Sequence, residues 1–452
     1  MSQVKIRHPI QLIKYFVFNS KWGSKEGNEH EKLIYYYHKP TLVIGIDQKI
    51  SDVGLAEAVI NFGRQFGDIT ESLQGDRLRF IFHELADDFW SSMFISESYS
   101  VHKSGEDSTQ IAEYHENEIC DNFFKLKLEN IYNYFRLLNG PINELCSKLS
   151  RQEFLDKCQD FFDNYIPNIE LLPFNLIELY SSIQYLPLSN NTFMAVQSLL
   201  NCVQANDSRI DSYIFIYNDQ LVSSSLSLFD TQILYNYLTN IIIPDAVKEE
   251  ISGISNKTRW LQVNIPVYLI GHPDCHQSKF GYLCLFRSIN GSTIGLILTE
   301  FDENILKECG TLLSGRLVSL TNKLHETVTQ IAKQPDSKLS NDNSAKDIKF
   351  IYVNYSNCAQ RGNSNCRKLI DSDFTRLIID VESDLHQQQR FNDEQVFELI
   401  GKNMNDAWLV TRNSDCRSLF AMLNYKNANV IEASDMIDAM QNKHFKNLFF
   451  GI

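Results

Sequence analysis

The sequence predicts an α/β protein of the α+β kind, built from one small plan used three times. Three observations carry this. The chain has 452 residues, more than a single core of roughly 250–300 residues accommodates. It is rich in sheet-forming aromatics, with 29 Phe and 20 Tyr. And nearly the same strand opens three stretches of it: "KYFVFNS" at 14–20, "SYIFIYN" at 212–218 and "KFIYVNY" at 349–355.

In the first stretch, "SKWGSKEGNEHE" (20–31) is a polar loop and "KLIYYYH" (32–38) a second strand, giving a hairpin with a long connection. "SDVGLAEAVINFGRQF" (51–66) reads as a helix capped by Ser51 or Asp52. "RLRFIFHEL" (77–85) and "FWSSMFIS" (89–96) read as strands. The segment 116–138 is a long helix with the stripe Phe124, Leu128, Ile131, Phe135, Leu138. In the second stretch, 213–226 is strand, Asn218-Asp219 turn, strand. A helix over 229–242 is expected to be capped by Asp230. The strands 280–289 and 292–299 flank Asn290-Gly291, a strong hairpin signal. A long helix follows, with Leu306, Leu313, Leu317, Leu320, Leu324, Val328 and Ile331 on one face. In the third, 348–355 is a strand, a polar insertion containing "QQQ" follows, and 392–404 reads as a helix. "AWLVTRN", "SLFAMLNY" and "ANVIEAS" read as strands, and "DMIDAMQNKHF" as a closing helix.

The resulting division is a first module over 8–165 with trailing helices, a linker helix within 166–209, a second module over 210–332, a flexible linker over 333–347 and a third module over 348–452. The spacing is set by loops rather than by a fixed period, which excludes a solenoid.

The formal charge of −14 argues against a nucleic-acid binder of the basic kind. Gln11 and Lys14 interrupt the early apolar run, so no secretory leader is expected, and no stretch approaches a spanning helix. Ten cysteines without a CxxC pair read as reduced cytosolic thiols. GxSxG, Walker A, HExxH and zinc-ribbon patterns are absent from the sequence, so no catalytic residue, cofactor or metal is expected. "GHPDCHQ" places His272, Cys275 and His276 together without a fourth ligand at matching spacing, and reads as a polar loop. Glu84, Asp87 and Asp88 in "HELADD" read as a solvated turn rather than an acid/base pair. Arg361, Arg367 and Lys368 form a small basic loop, open to lipid headgroups or simply to water.

The helix at 51–66 is the most informative element. Leu55, Val59, Phe62 and Phe66 form the expected sheet-facing stripe. A second row, Val53, Ala56, Ile60 and Gly63, has small members that permit close backbone approach. It is either packing under the module's own loops or a protein–protein interface.

"FVFNSKWGSKEGNEHEKLIYYYH", "SDVGLAEAVINFGRQF", "FIYNDQLVSSSL", "FDTQILYNYLT", "MLNYKNANVIEA" and "FKNLFF" occur in the order expected of the calcium–caffeine–zinc sensitivity family of vacuolar fusion proteins, which the chain resembles over nearly its whole length. The resemblance implies three longin-like domains, each a five-stranded antiparallel sheet flanked by helices. It implies an obligate heterodimer with the monensin-sensitivity protein, acting as a guanine-nucleotide exchange factor for the late-endosomal GTPase Rab seven. A third stabilising subunit and phosphoinositide membranes of late endosomes, lysosomes or vacuole and autophagosomes are the further partners implied, and no nucleic acid. Val53, Ala56, Ile60, Gly63 and Trp22 are the residues expected at the partner or GTPase interface, and Arg361, Arg367 and Lys368 at the membrane. The alternatives are a longin adaptor or tethering subunit that only binds, or a sister tri-longin exchange-factor subunit of the Hermansky–Pudlak type serving other Rabs.

Overall fold

The computed structural model describes residues 6–66, 70–104, 109–114, 121–169, 171, 180–253, 258–272, 278–333, 348–362, 377–378, 381, 398–402, 406–414, 416–423 and 428–445. The chain divides into two compact units, Met1–Phe174 and Asn175–Ile452.

The first unit runs β1 (Ile6–His8), β2 (Gln11–Asn19), β3 (Leu33–His38), α1 (Ile46–Gln65), β4 (Ser72–Gln74), β5 (Leu78–Ala86) and β6 (Phe89–Ser96). The main sheet has the order β3-β2-β6-β5-β4, antiparallel throughout. β7 (Tyr99–Ser104) pairs with β1 and β8 (Thr109–Tyr114) with β7, in a small second sheet that sequence reading does not anticipate. α2 (Asp121–Asn139), α3 (Ile142–Lys148) and α4 (Arg151–Tyr165) follow. The main sheet is covered on both faces, which is why β2 reads as a continuous apolar run rather than an alternation. Phe16, Phe18, Phe82, Trp90 and Phe94 meet α1 on one face. Tyr15 points the other way, its ring 5.6 Å from Phe162 of α4, which stacks on Phe135 of α2.

The second unit holds α5 (Asn190–Asn206), β9 (Ile210–Tyr217), β10 (Gln220–Ser224), α6 (Leu228–Tyr237), a π-helical turn over Leu238–Ile242, α7 (Ile243–Ile251), β11 (Arg259–Leu269), β12 (Lys279–Arg287), β13 (Ser292–Leu298) and α8 (Glu303–Lys333). Its sheet order is β10-β9-β13-β12-β11. The Asn218 and Gly291 turns lie side by side, both at positive φ, and a Cβ on Gly291 would fall 2.3 Å from the Asn218 Oδ1. Only glycine fits there. α5 is not a linker helix. Its Val196, Leu199, Leu200 and Val203 are buried in one core with Phe215, Phe286, Leu296 and the Leu313–Leu317 stretch of α8. α6 is capped by Ser227, whose hydroxyl accepts from the Asp230 amide at 3.1 Å. Asp230, expected as the cap, is instead buried and accepts from the amides of Ile270 and Gly271 at 3.0 and 2.8 Å, tying the end of β11 to the start of α6.

The third sheet comprises β14 (Ile348–Asn354), β15 (Ala359–Gly362), β16 (Glu398–Lys402), β17 (Trp408–Ser414) and β18 (Arg417–Leu423), and α9 (Val430–His444) closes the fold. Its order, β15-β14-β18-β17-β16, repeats that of the other two. Two expectations are overturned here. The segment expected as a helix over 392–404 contains the strand β16 at 398–402, held to β17 along its length and by Arg412 donating to Glu398 at 2.8 Å. Pairing overrides the local helical pattern. The segment 428–434, expected as a strand, is the start of α9. Asn429 accepts from the Glu432 amide at 2.9 Å, and Glu432 returns the bond to the Asn429 amide. This reciprocal cap outweighs the β-branched pair Val430-Ile431. The expected linker over 333–347 lies, from 334 on, outside the described residues, as does most of the 356–390 insertion.

Candidate functional site: the outer face of the first long helix

α1 starts at Ile46 behind Gly45, one turn and more before Ser51. Asp52 therefore lies inside the helix, not at its cap, and it is buried. Its carboxylate accepts from the Lys14 ammonium of β2 at 2.9 and 2.7 Å, from Gln48 at 3.2 Å and from the Tyr36 hydroxyl of β3. A buried charge needs such compensation. Burial and the Asp52 hydrogen bond together push the Tyr36 phenol far above its ordinary range. Lys14 and Asp52 thus fix the rotation of α1 over the sheet.

That rotation inverts the expected assignment of the two apolar rows. Val53, Ala56, Ile60 and Gly63 face the sheet and are buried among Phe16, Phe18, Phe82, Trp90 and Phe94. They are first-module core, not an exposed interface. The physical reason is volume: five large rings already fill the sheet face, so the helix comes close only through small or branched residues. A Cβ on Gly63 would lie 2.1 Å from the Thr70 hydroxyl. The bulky row points outward, except for Val59, which is partly buried against the same core. Leu55 is 42% exposed, Phe62 63% and Phe66 74%, and the two Phe rings sit 4.8 Å apart. The approach to the helix adds Leu42, Val43 and Ile46, all exposed.

Ion pairs stand beside this helix. Lys32 meets Glu57 at 2.6 Å, and Arg64 meets Glu84 at 3.2 Å while its guanidinium lies 5.1 Å from the Trp90 ring. Burial lifts the Glu84 carboxyl above its usual range, with Arg64 opposing and Asp87 and Asp88 adding to the rise. Of that acidic trio, Asp88 closes the β5–β6 turn at positive φ and pairs with Lys21 at 2.6 Å.

The other expected site residues are placed apart from α1. Trp22 is half-buried with its ring edge-on to Phe89 and Phe154, under the Arg151 guanidinium at 4.9 Å. It packs the first loop against α4 and does not join the α1 face. Arg361 is exposed on β15, 5.9 Å from the Phe445 ring, while Arg367 and Lys368 lie outside the described residues. His272 is exposed, and Cys275 and His276 are outside the described residues. Among the described residues no helix is long and apolar enough to cross a membrane. Helical spacing alone does not rank the two rows, since both are apolar. The available signal was Asp52 paired with small residues on one face.

A family model described as the first longin domain of INTU, CCZ1 and HPS4 matches residues 12–140. Models for Intu longin-like domains 2 and 3 match residues 210–346 and 344–442. The chain is 30% identical to the vacuolar fusion protein CCZ1 homolog of Nematostella vectensis, covering 97% of this chain and 98% of that protein. The chain belongs to the CCZ1 family. Proteins of the same printed name from Xenopus laevis and Dictyostelium discoideum are each 26% identical over 98% and 97% of the chain, respectively, and 98% of their own length. Membership in the CCZ1 family and the thrice-repeated sheet order agree: the chain carries three longin-like domains.

Proposed function

We propose that this chain acts in membrane fusion at the vacuole or lysosome as one subunit of a heterodimeric guanine-nucleotide exchange factor for Rab seven, paired with a monensin-sensitivity family protein. The observation that carries the reading, beside family membership, is the outward row Leu55, Phe62 and Phe66 on α1. Burying one such side chain is worth about 1.5–3 kcal/mol, and a contiguous exposed set marks a protein interaction site. We assign it to the partner subunit. Recruitment to phosphoinositide-bearing late-endosomal, lysosomal and autophagosomal membranes belongs to the same reading.

Exchange needs no nucleophile. A factor that binds the nucleotide-free GTPase better than the loaded form drives release by that difference alone. Disturbing the switch loops and their Mg²⁺ contacts is sufficient. The chain by itself is then a regulatory subunit rather than an enzyme. The test is co-expression with the monensin-sensitivity family protein and measurement of labelled-GDP release from Rab seven. The complex accelerates release and the single chain does not. A stable complex that leaves GDP release unchanged overturns the reading in favour of an adaptor that only binds.

A further inference from the structure

Residues 182–186 lie ahead of the second longin domain, yet their backbone serves two sheets. The Ile183 amide donates to the Cys358 carbonyl at 2.6 Å, and the Ile183 carbonyl accepts from the Gln360 amide at 2.9 Å. Those partners belong to β15 and its turn. The Gln184 carbonyl accepts from the Leu221 amide at 2.7 Å, and the Leu186 amide donates to the Leu221 carbonyl at 2.8 Å. Those belong to β10. Odd and even residues of an extended chain direct their polar groups to opposite sides, so this is the pattern of a strand with a neighbour on each side. Both pairings are parallel. α5 lies in the crossover that a parallel pairing to β10 requires.

Both neighbours are sheet edges: β10 ends the second sheet and β15 ends the third. Side chains lock the segment from both directions. Ser182 Oγ meets Gln360 Oε1 and Tyr185 donates to the Asn357 carbonyl at 3.3 Å on one side. On the other, Gln232 of α6 donates to the Ser181 carbonyl, and the Tyr235 hydroxyl accepts from the Gln184 amide at 3.4 Å. Ser182 and Ile183 are fully buried.

We propose that residues 182–186 are a strand shared by the second and third longin domains, joining their sheets edge to edge so that the two domains open and close as one cooperative unit. An uncovered sheet edge is a liability for mispairing, and this one segment covers two of them.

The test is hydrogen exchange on the full chain, comparing wild type with Gln360→Pro and Gln360→Ala. The Gln360 amide points at the shared strand rather than at β14, so proline there removes one inter-domain bond and none of those between β14 and β15. Alanine removes the Ser182 contact and leaves that backbone bond in place. Both changes lie in the third domain, and the decisive readout lies in the second. The expected result is at least tenfold faster exchange at 219–224 as well as at 359–361, in whichever variant keeps the central strand 417–423 protected as in wild type. Exchange at 219–224 that stays at the wild-type rate while 359–361 accelerates overturns the proposal, because the segment then makes two independent local contacts. Fast exchange at 219–224 already in wild type overturns it as well.

Discussion

α1 and α6 occupy the same place in two copies of one plan, between the second and third strands of their sheets, and they treat their outer faces in opposite ways. α1 buries a narrow stripe, Asp52, Val53, Ala56, Ile60 and Gly63, and presents Leu55, Phe62 and Phe66 outward. α6 is buried nearly all round, through Asp230, Thr231 and every residue from Ile233 to Tyr237. Each holds one buried aspartate, but Asp52 is bound by side chains of the sheet beneath it and Asp230 by backbone amides at the end of β11. α6 is also tied to the shared strand and the residue before it, through Gln232 to the Ser181 carbonyl and Tyr235 to the Gln184 amide. A helix apolar on all sides belongs in an interior, and α6 has been given one. The lesson is that the longin plan fixes where this helix lies, while what covers it is decided by the rest of the chain or by a partner.

The comparison can be broken most severely at the α1 core. Ile60→Asp buries a charge among Phe16, Phe82 and Trp90, and is expected to unfold the first domain, a loss of several kcal/mol, read as loss of its melting transition while the second and third domains still melt. Asp52→Asn is next. It strands the Lys14 ammonium beneath the helix and is expected to cost about 3 kcal/mol, read as a lower denaturant midpoint. The outward row should behave in the opposite manner. Phe62→Ser or Phe66→Ser leaves the domain's melting unchanged, and weakens pairing with the proposed partner subunit about 30-fold for a truncation worth ~2 kcal/mol. Binding titrations against stability curves separate the two rows.

Acid sharpens the comparison further. Burial, with Lys125 adding and Glu71 opposing, holds the His83 imidazole of β5 down at about 4. An unfolded histidine takes its proton near 6.5, so the stability of the first domain is intact above that value and falls by about 1.4 kcal/mol per pH unit as pH drops from 6.5 toward 4. Chemical denaturation at pH 7.5 and 5.5 measures the drop, and His83→Gln removes it. The smallest effect is expected at α6. Tyr235→Phe loses the hydroxyl that donates to the Asp219 carbonyl at 2.6 Å and costs about 1 kcal/mol, seen as faster exchange at 219–224.

How much of this was legible follows from which forces are local. The two hairpins of the second domain could be read because their turns are chemical signatures: Asn218-Asp219 and Asn290-Gly291 both sit at turns with a residue at positive φ. The α8 stripe could be read because one side of a long helix must be apolar, and Leu313, Leu317 and Leu324 are buried as expected. The two rows of α1 could not be ranked from helical spacing, since both are apolar; only the crowding of rings on the sheet decides between them. β16 could not be read because "ELIGK" is held as a strand by β17 and Arg412, which no local window contains. The cap at Asn429 was in the sequence as an N-x-x-E pattern and was outvoted by Val430 and Ile431. The shared strand left no local mark, because its partners Leu221 and Gln360 follow it at very different distances along the chain.

That distance has a consequence for synthesis. Ile183 leaves the ribosome well before Gln360, the residue whose amide it must accept. At about 5–20 residues per second the wait is roughly 10–35 s. Late in that wait, once β13 and α8 have emerged, the second domain can close its own sheet and seat residues 184–186 on β10, but the opposite side of that strand has nothing to bond. A nascent chain stalled near residue 340 is therefore a folded domain with one raw edge. It is the stage at which a chaperone that recognises unpaired strands is expected to be found on this polypeptide, and to leave when β15 emerges.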